Sequence, residues 1–231
     1  MKKLLYAGVI GPPLFIAVFL VEGFTRPGYS PWRHYVSQLG TGPGAYVQDV
    51  NFVLCGSLVL LFAIALRAAI KGSRGSIGAP IIAALFGIAL VVAGVFPTDP
   101  ALGYPVGAVQ IHTVHGMIHG LAGLVAFTSL PAFAFVMAWH FAGDQNARRW
   151  TFYSAAIGAL VIVMFIAMTT TSTLDQLGRL PNAPTGLLQR IAIIGGWTWI
   201  AMLAWHQLRA LRALPARPRR EIAVPAPTAA A

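Results

Sequence analysis

Three histidines, His112, His115 and His119, follow one another at i, i+3 and i+7 in the stretch QIHTVHGMIHG. On an α-helix, at about 100° per residue, they share an arc of roughly 60°. Asp99 lies just upstream, in FPTDP. Imidazoles and a carboxylate held together suit zinc, which in catalytic sites takes three protein ligands and keeps a position for water. The metal makes that water a nucleophile near neutral pH. Asp99, His115 and His119 are therefore the expected metal set. The spacing lacks the internal Glu that makes His-Glu-x-x-His specific for zinc. Two other chemistries fit the same residues. The imidazoles can bond loop carbonyls and Asp99 at a membrane boundary, or they can line a wet pocket that takes a ligand or a proton.

Further polar residues belong to the same end of the chain's apolar segments. Glu22 closes the first segment, and His34, Tyr35 and Ser37 follow it. Gln189 and Arg190 open the last. A guanidinium can give two parallel hydrogen bonds to a phosphate, so Arg190 is a candidate for an anionic lipid head. The expected ligand-binding rim is Glu22, His34, Ser37, Asp99, His112, His115, His119 and Arg190. At the opposite end stand His140 and His206, a pair that could clamp a haem iron from two helices. No Gly-rich phosphate loop and no Gly-x-Ser-x-Gly elbow occurs in the sequence.

These residues need elements to hold them, and the composition says which. Only 10% of the 231 residues are charged, 57% are hydrophobic, and the mean hydropathy is +0.72. A water-soluble surface needs more charge than that, whereas lipid tails solvate apolar faces directly. A span of helix needs about 20 mainly apolar residues. Six segments qualify: 4–24, 50–66, 77–96, 115–139, 152–168 and 191–208. The fold class is all-α, a polytopic membrane bundle of six transmembrane helices over residues 1–212. A Pro/Ala-rich tail, 213–231, is expected to be disordered.

The net charge of +10 comes from basic clusters between the spans, so it reads as membrane topology rather than nucleic-acid binding. Lys2, Lys3, Arg67, Lys71, Arg74, Arg148, Arg149, Arg209, Arg212, Arg217, Arg219 and Arg220 fall on one side. Arg26, Arg33, Arg179 and Arg190 fall on the other. The positive-inside rule makes the first side cytoplasmic, with both termini there and the chain in the inner or plasma membrane. The histidine and carboxylate rim then faces outward. Glycine pairs in three spans (Gly87 and Gly94, Gly120 and Gly123, Gly195 and Gly196) are expected to let helices approach closely. The echo between Ser37-Gln-Leu-Gly40 and Asp175-Gln-Leu-Gly178 admits an internal duplication.

The order of several motifs carries a resemblance. Val36-Ser-Gln-Leu-Gly40, Phe96-Pro-Thr-Asp99, His115-Gly-Met-Ile-His119, Gly186-Leu-Leu-Gln-Arg190 and Trp197 together resemble a prokaryotic membrane family catalogued as domain of unknown function 998. The resemblance implies six spans and transfers attention to Ser37, Asp99, His115, His119 and Arg190, without supplying an activity. The Ser, Asp and His content also looks loosely like membrane zinc hydrolases of lipid amides. Those have seven helices and a final His-x-x-x-His helix, which this sequence lacks. The leading expectation is a protein that binds or moves a lipid or small ligand through an outward polar cavity. The alternatives are a zinc-dependent lipid hydrolase and a b-type haem protein.

Overall fold

The computed structural model describes residues 2–213, so the tail expected to be disordered lies, from residue 214 on, outside the described residues. Six helices follow in order: α1 (Lys2–Thr25), α2 (Ala45–Ala69), α3 (Gly78–Val95), α4 (Val114–Phe141), α5 (Arg148–Gln176) and α6 (Thr185–Ala213). All six are long and apolar enough to cross a membrane. In lipid the backbone must satisfy its own hydrogen bonds, which a helix does within one segment. Each helix packs on its neighbours in sequence, and α6 closes the ring against α1. Short links join α2 to α3 and α4 to α5 at one end. Long loops join α1 to α2, α3 to α4 and α5 to α6 at the other, which is here called the loop end.

The ring is filled by large side chains. Trp197 stacks on Phe15 with ring centroids 4.3 Å apart and meets the edge of Phe86 at 5.6 Å. Trp199 packs on Phe133 and donates its indole N–H to Ser154 Oγ at 3.1 Å. The backbones of α2 and α3 approach each other closely. A Cβ on Gly56 would lie 2.7 Å from the Gly87 carbonyl oxygen, and one on Gly87 would lie 2.9 Å from the Gly56 carbonyl oxygen. Gly94 repeats this against the Asp49 carbonyl. Gly196 abuts Leu130, so it too serves close packing. Gly120 and Gly123 do not: a Cβ on either meets nothing within 4 Å. The expectation of close packing fails for that pair, because they face open space.

Helix α5 is longer than the apolar run suggests. The sequence places its end near Met168, yet the helix continues to Gln176. The polar residues Thr169, Thr170, Thr171 and Thr173 turn their hydroxyls back onto carbonyls three or four residues earlier. A hydroxyl satisfied inside its own helix does not need water, so the threonine run extends the helix rather than ending it. The two Gln-Leu-Gly echoes accordingly sit in unlike places. Ser37–Gly40 forms a short 3-10 turn in the first loop, and Asp175 lies in the last turn of α5.

Candidate functional site, a cavity beneath a polar cap

At the loop end the three long loops lock together. Arg33 makes two bonds to Asp175, Nε to Oδ2 and Nη2 to Oδ1, each at 2.7 Å. This ties the first loop to the end of α5. Trp32 donates its indole N–H to the Asn182 carbonyl at 3.0 Å. Gln38 reaches the Ala101 carbonyl and bonds the Tyr104 carbonyl at 3.4 Å, so the 3-10 turn holds the loop between α3 and α4. The rings of Tyr29, His34 and Tyr104 contact one another at 5.1–5.4 Å.

Arg190 is the centre of this cap. It is 6% exposed. Its Nη1 donates to the carbonyls of Pro31, His34 and Gly186 at 2.8, 3.0 and 2.9 Å, and Nη2 donates to the Tyr29 hydroxyl. The guanidinium also lies over the Tyr29 and Phe19 rings. Burial pushes the Tyr29 phenol up from its ordinary pKa, with Arg190 pulling the other way. The expected role for Arg190 is receiving a lipid phosphate; here both terminal nitrogens of the guanidinium already bond the cap. Glu22, also buried, accepts from Arg26 at 2.8 Å, and Arg26 in turn donates to the Leu39 carbonyl at 2.9 Å. The pair therefore staples the first loop to α1.

His34 is buried within the cap and its two nitrogens are both used. Nδ1 accepts the Ser30 N–H at 2.9 Å, so it carries no proton. Nε2 must then be the N–H that donates to the Leu102 carbonyl at 3.2 Å. Burial holds its pKa below the ordinary imidazole value, with Arg33 and Arg190 adding to the effect and the Leu102 bond opposing it. A folded-state pKa below the unfolded one means the unfolded chain binds the proton first. Stability is fully present above about pH 6.5 and is lost as pH falls toward the folded value. Thermal unfolding of the purified protein should therefore show a midpoint that drops as pH falls below about 6.5. His34→Asn, which keeps an acceptor near Nδ1 but does not titrate, should flatten that window. An unchanged acid slope in the variant would contradict the assignment.

Asp99 caps the next helix. It accepts the Thr113 N–H at 2.8 Å and the Thr113 hydroxyl at 2.7 Å, while the same hydroxyl accepts the Gly116 N–H at 3.0 Å. Burial alone would raise the pKa of its carboxyl. The Thr113 hydroxyl and amide, with His112 and His115 nearby, outweigh burial and hold it below the usual range. The carboxylate sits on the first turn of α4, where a helix favours negative charge. A Cβ on Gly116 would collide with it at 2.0 Å, which explains the glycine.

The three histidines part company here. His112 and His115 are exposed, and the His115 ring meets the edge of Phe96 at 5.5 Å. His119 is 7% exposed and turns inward. Its Nδ1 lies 2.9 Å from both the Ala93 and Phe96 carbonyls at the end of α3. Among the described residues no three His, Cys, Asp or Glu side chains form a metal-holding group. At the other end, His140 Nδ1 bonds Ser73 Oγ and the Arg74 carbonyl, each at 3.0 Å. The His140 and His206 rings both contact Phe141, at 5.0 and 5.6 Å.

Beneath the cap lies a cavity of about 300 Å³ that the sequence reading placed only in outline. Phe15, Phe86, Leu90, Leu130 and Trp197 form its apolar depth. Tyr35, Ser37, Thr98, His119, Thr169 and Gln189 supply polar atoms nearer the loop end. Gly120 and Gly123 of α4 and Phe165 and Thr169 of α5 border it on one side. Gly120, Leu124 and Thr169 there are exposed. Of the expected rim, His119 and Ser37 reach the cavity; Glu22, His34 and Arg190 build the cap above it. Asp99, His112 and His115 sit at the start of α4. Thr98 was missed because one threonine in a Pro-rich loop carries no signal. Tyr35 and Gln189 were visible only as rim polarity.

No curated protein and no solved structure matches the chain. A family model does, over residues 9–206, through the six helices and all three long loops, and the chain belongs to the family it describes: Protein of unknown function (DUF998).

Proposed function

We propose that this protein binds a lipid or lipid-like amphiphile in the cavity beneath the cap, within the non-cytoplasmic half of the inner or plasma membrane. Both termini are then cytoplasmic, as the basic clusters require. The observation that carries the reading is the cavity itself. It has the size of a small ligand site and the lining such sites have, apolar walls with a few polar groups. Its position supports an amphiphile: the apolar depth lies toward the middle of the bundle and the polar atoms toward the loop end. The border between α4 and α5 gives a route from the bilayer, since Gly120 and Gly123 place no side chain there.

The test is lipid analysis of the purified protein. Wild type should retain a lipid class enriched over the membrane from which it was extracted. Gly123→Trp should project an indole into open space, fill the route and lose the enrichment while keeping wild-type helicity and melting temperature. Equal lipid content in the two proteins would overturn the reading.

A further inference from the structure

We propose that the cavity selects an uncharged single-chain amphiphile whose head donates a hydrogen bond, and that Nε2 of His119 is the acceptor that recognises it. The inference rests on the cavity reading above and adds the chemistry of the head.

The argument starts from a fixed tautomer. The carbonyl oxygens of Ala93 and Phe96 can only accept, and both lie 2.9 Å from His119 Nδ1. Nδ1 therefore carries the proton. In a neutral imidazole the other nitrogen is then a lone pair. Nε2 has no hydrogen-bond partner among the described residues, although the residue is 7% exposed and lines the cavity. Protonating the ring would put an unpaired cation in a low-dielectric site, which is costly. Nε2 is therefore an acceptor open to the cavity, and a donor on the ligand would complete it. The ring cannot turn away, because α3 holds one edge and Phe52 packs on it at 6.0 Å.

Gln189 gives the complementary group. Its Oε1 accepts the Val36 N–H at 2.6 Å, so its amide N–H groups are the part left for the cavity. The head that fits both carries a donor and an acceptor, as a hydroxyl or a carboxamide does. No Lys, Arg, Asp or Glu lines the cavity, and Arg190 is filled by the cap. A phosphate or ammonium head would lose water without gaining a counter-charge. The cavity of about 300 Å³ stands at the small end of ligand sites, which favours one chain over two.

The probes are three decyl compounds with one chain in common: 1-O-decylglycerol, its dimethyl ether and decyl phosphate. Binding is measured to the full chain in phosphatidylcholine nanodiscs. Wild type should bind decylglycerol about tenfold more tightly than either analogue, the margin of a buried hydrogen bond. His119→Asn keeps an N–H near the position of Nδ1, so it preserves the tie to α3, but it has no atom at Nε2. It should fold with a near-wild-type melting temperature and bind decylglycerol and its dimethyl ether alike. Equal binding of those two by wild type, tighter binding of the phosphate, or full preference in His119→Asn would overturn recognition by His119, leaving the cavity reading intact. Failure of all three to bind wild type, together with no enriched lipid in the purified protein, would overturn the cavity reading itself.

Discussion

Arg190→Met will destabilise the protein by about 3–5 kcal/mol, because two or more buried hydrogen bonds from a charged donor, each worth about 1.5–3 kcal/mol, are lost together. Methionine fills much of the same volume but offers no donor. The carbonyls of Pro31, His34 and Gly186 would each lose a bond of 2.8–3.0 Å, and Tyr29 would lose its donor. Of the three carbonyls, that of Pro31 has Arg190 as its donor, whereas that of His34 keeps the Tyr29 hydroxyl and that of Gly186 keeps its place in the α6 ladder, so the figure reflects lost charge-assisted bonds. No carboxylate forms an ion pair with Arg190 among the described residues, so the loss is one of backbone organisation. Arg190→Lys should fall between, because one ammonium cannot reproduce the fork that spans three carbonyls and a phenol. Unfolding of the detergent-purified variants measures the series. The alternative, a guanidinium waiting for a lipid phosphate, gives the opposite pattern: little change in stability and a loss of bound lipid. A Met variant within about 1 kcal/mol of wild type would favour that alternative, since typical surface changes cost no more.

The same residue shows where the sequence speaks and where it is silent. The six spans were legible because each is a long apolar run bounded by Gly, Pro or basic residues, and lipid leaves the backbone little choice. The helices outrun the apolar runs most at the end of α5, where threonine hydroxyls bond their own helix, and also at the starts of α2 and α6. Arg190, His34 and Glu22 were recognisable as residues of interest, because ionisable groups beside a membrane segment rarely lack a role. Their partners were not recognisable. For Arg190 and His34 those partners are carbonyls, of Pro31 and Leu102 among others, and every residue has a carbonyl. No residue type marks an acceptor that the fold will bring into place.

The histidine row shows a second limit. Helical spacing put His112, His115 and His119 on one stripe, but α4 begins only at Val114. His112 therefore lies before the helix, and of the remaining pair one faces α3 and one faces outward. Spacing fixes direction relative to the helix axis, and the neighbour that makes one direction buried comes from elsewhere in the chain. The cavity was hidden for a related reason: it exists where side chains are absent. Gly120 and Gly123 look the same in sequence as Gly56, Gly87 and Gly94, yet one group faces space and the other faces backbone.

That difference makes a prediction of opposite signs for one kind of substitution. Gly120→Ala should raise stability by up to about 1 kcal/mol, since alanine is the better helix former and nothing lies within 4 Å of the new methyl group. Gly87→Ala gains the same propensity but drives its methyl to 2.9 Å from the Gly56 carbonyl and 3.0 Å from Leu60. Forcing an extra carbon into a packed seam costs about 1–3 kcal/mol, so the net effect is a loss. The atom in the way is backbone, which cannot rotate aside, so α2 and α3 must separate. Gly56→Ala should behave alike, at 2.7 Å from the Gly87 carbonyl. Because each methyl is opposed by the other residue's backbone, a single separation relieves both. The double variant should cost clearly less than the sum of the two singles, as expected for coupled neighbours. Phe52 of α2 and Phe86 and Leu90 of α3 line the cavity, so the same separation should enlarge it and weaken amphiphile binding. Thermal unfolding and decylglycerol binding on the three variants read both consequences. Additive losses in the double variant, or a stabilising Gly87→Ala, would show that the two helices are not in the close contact described.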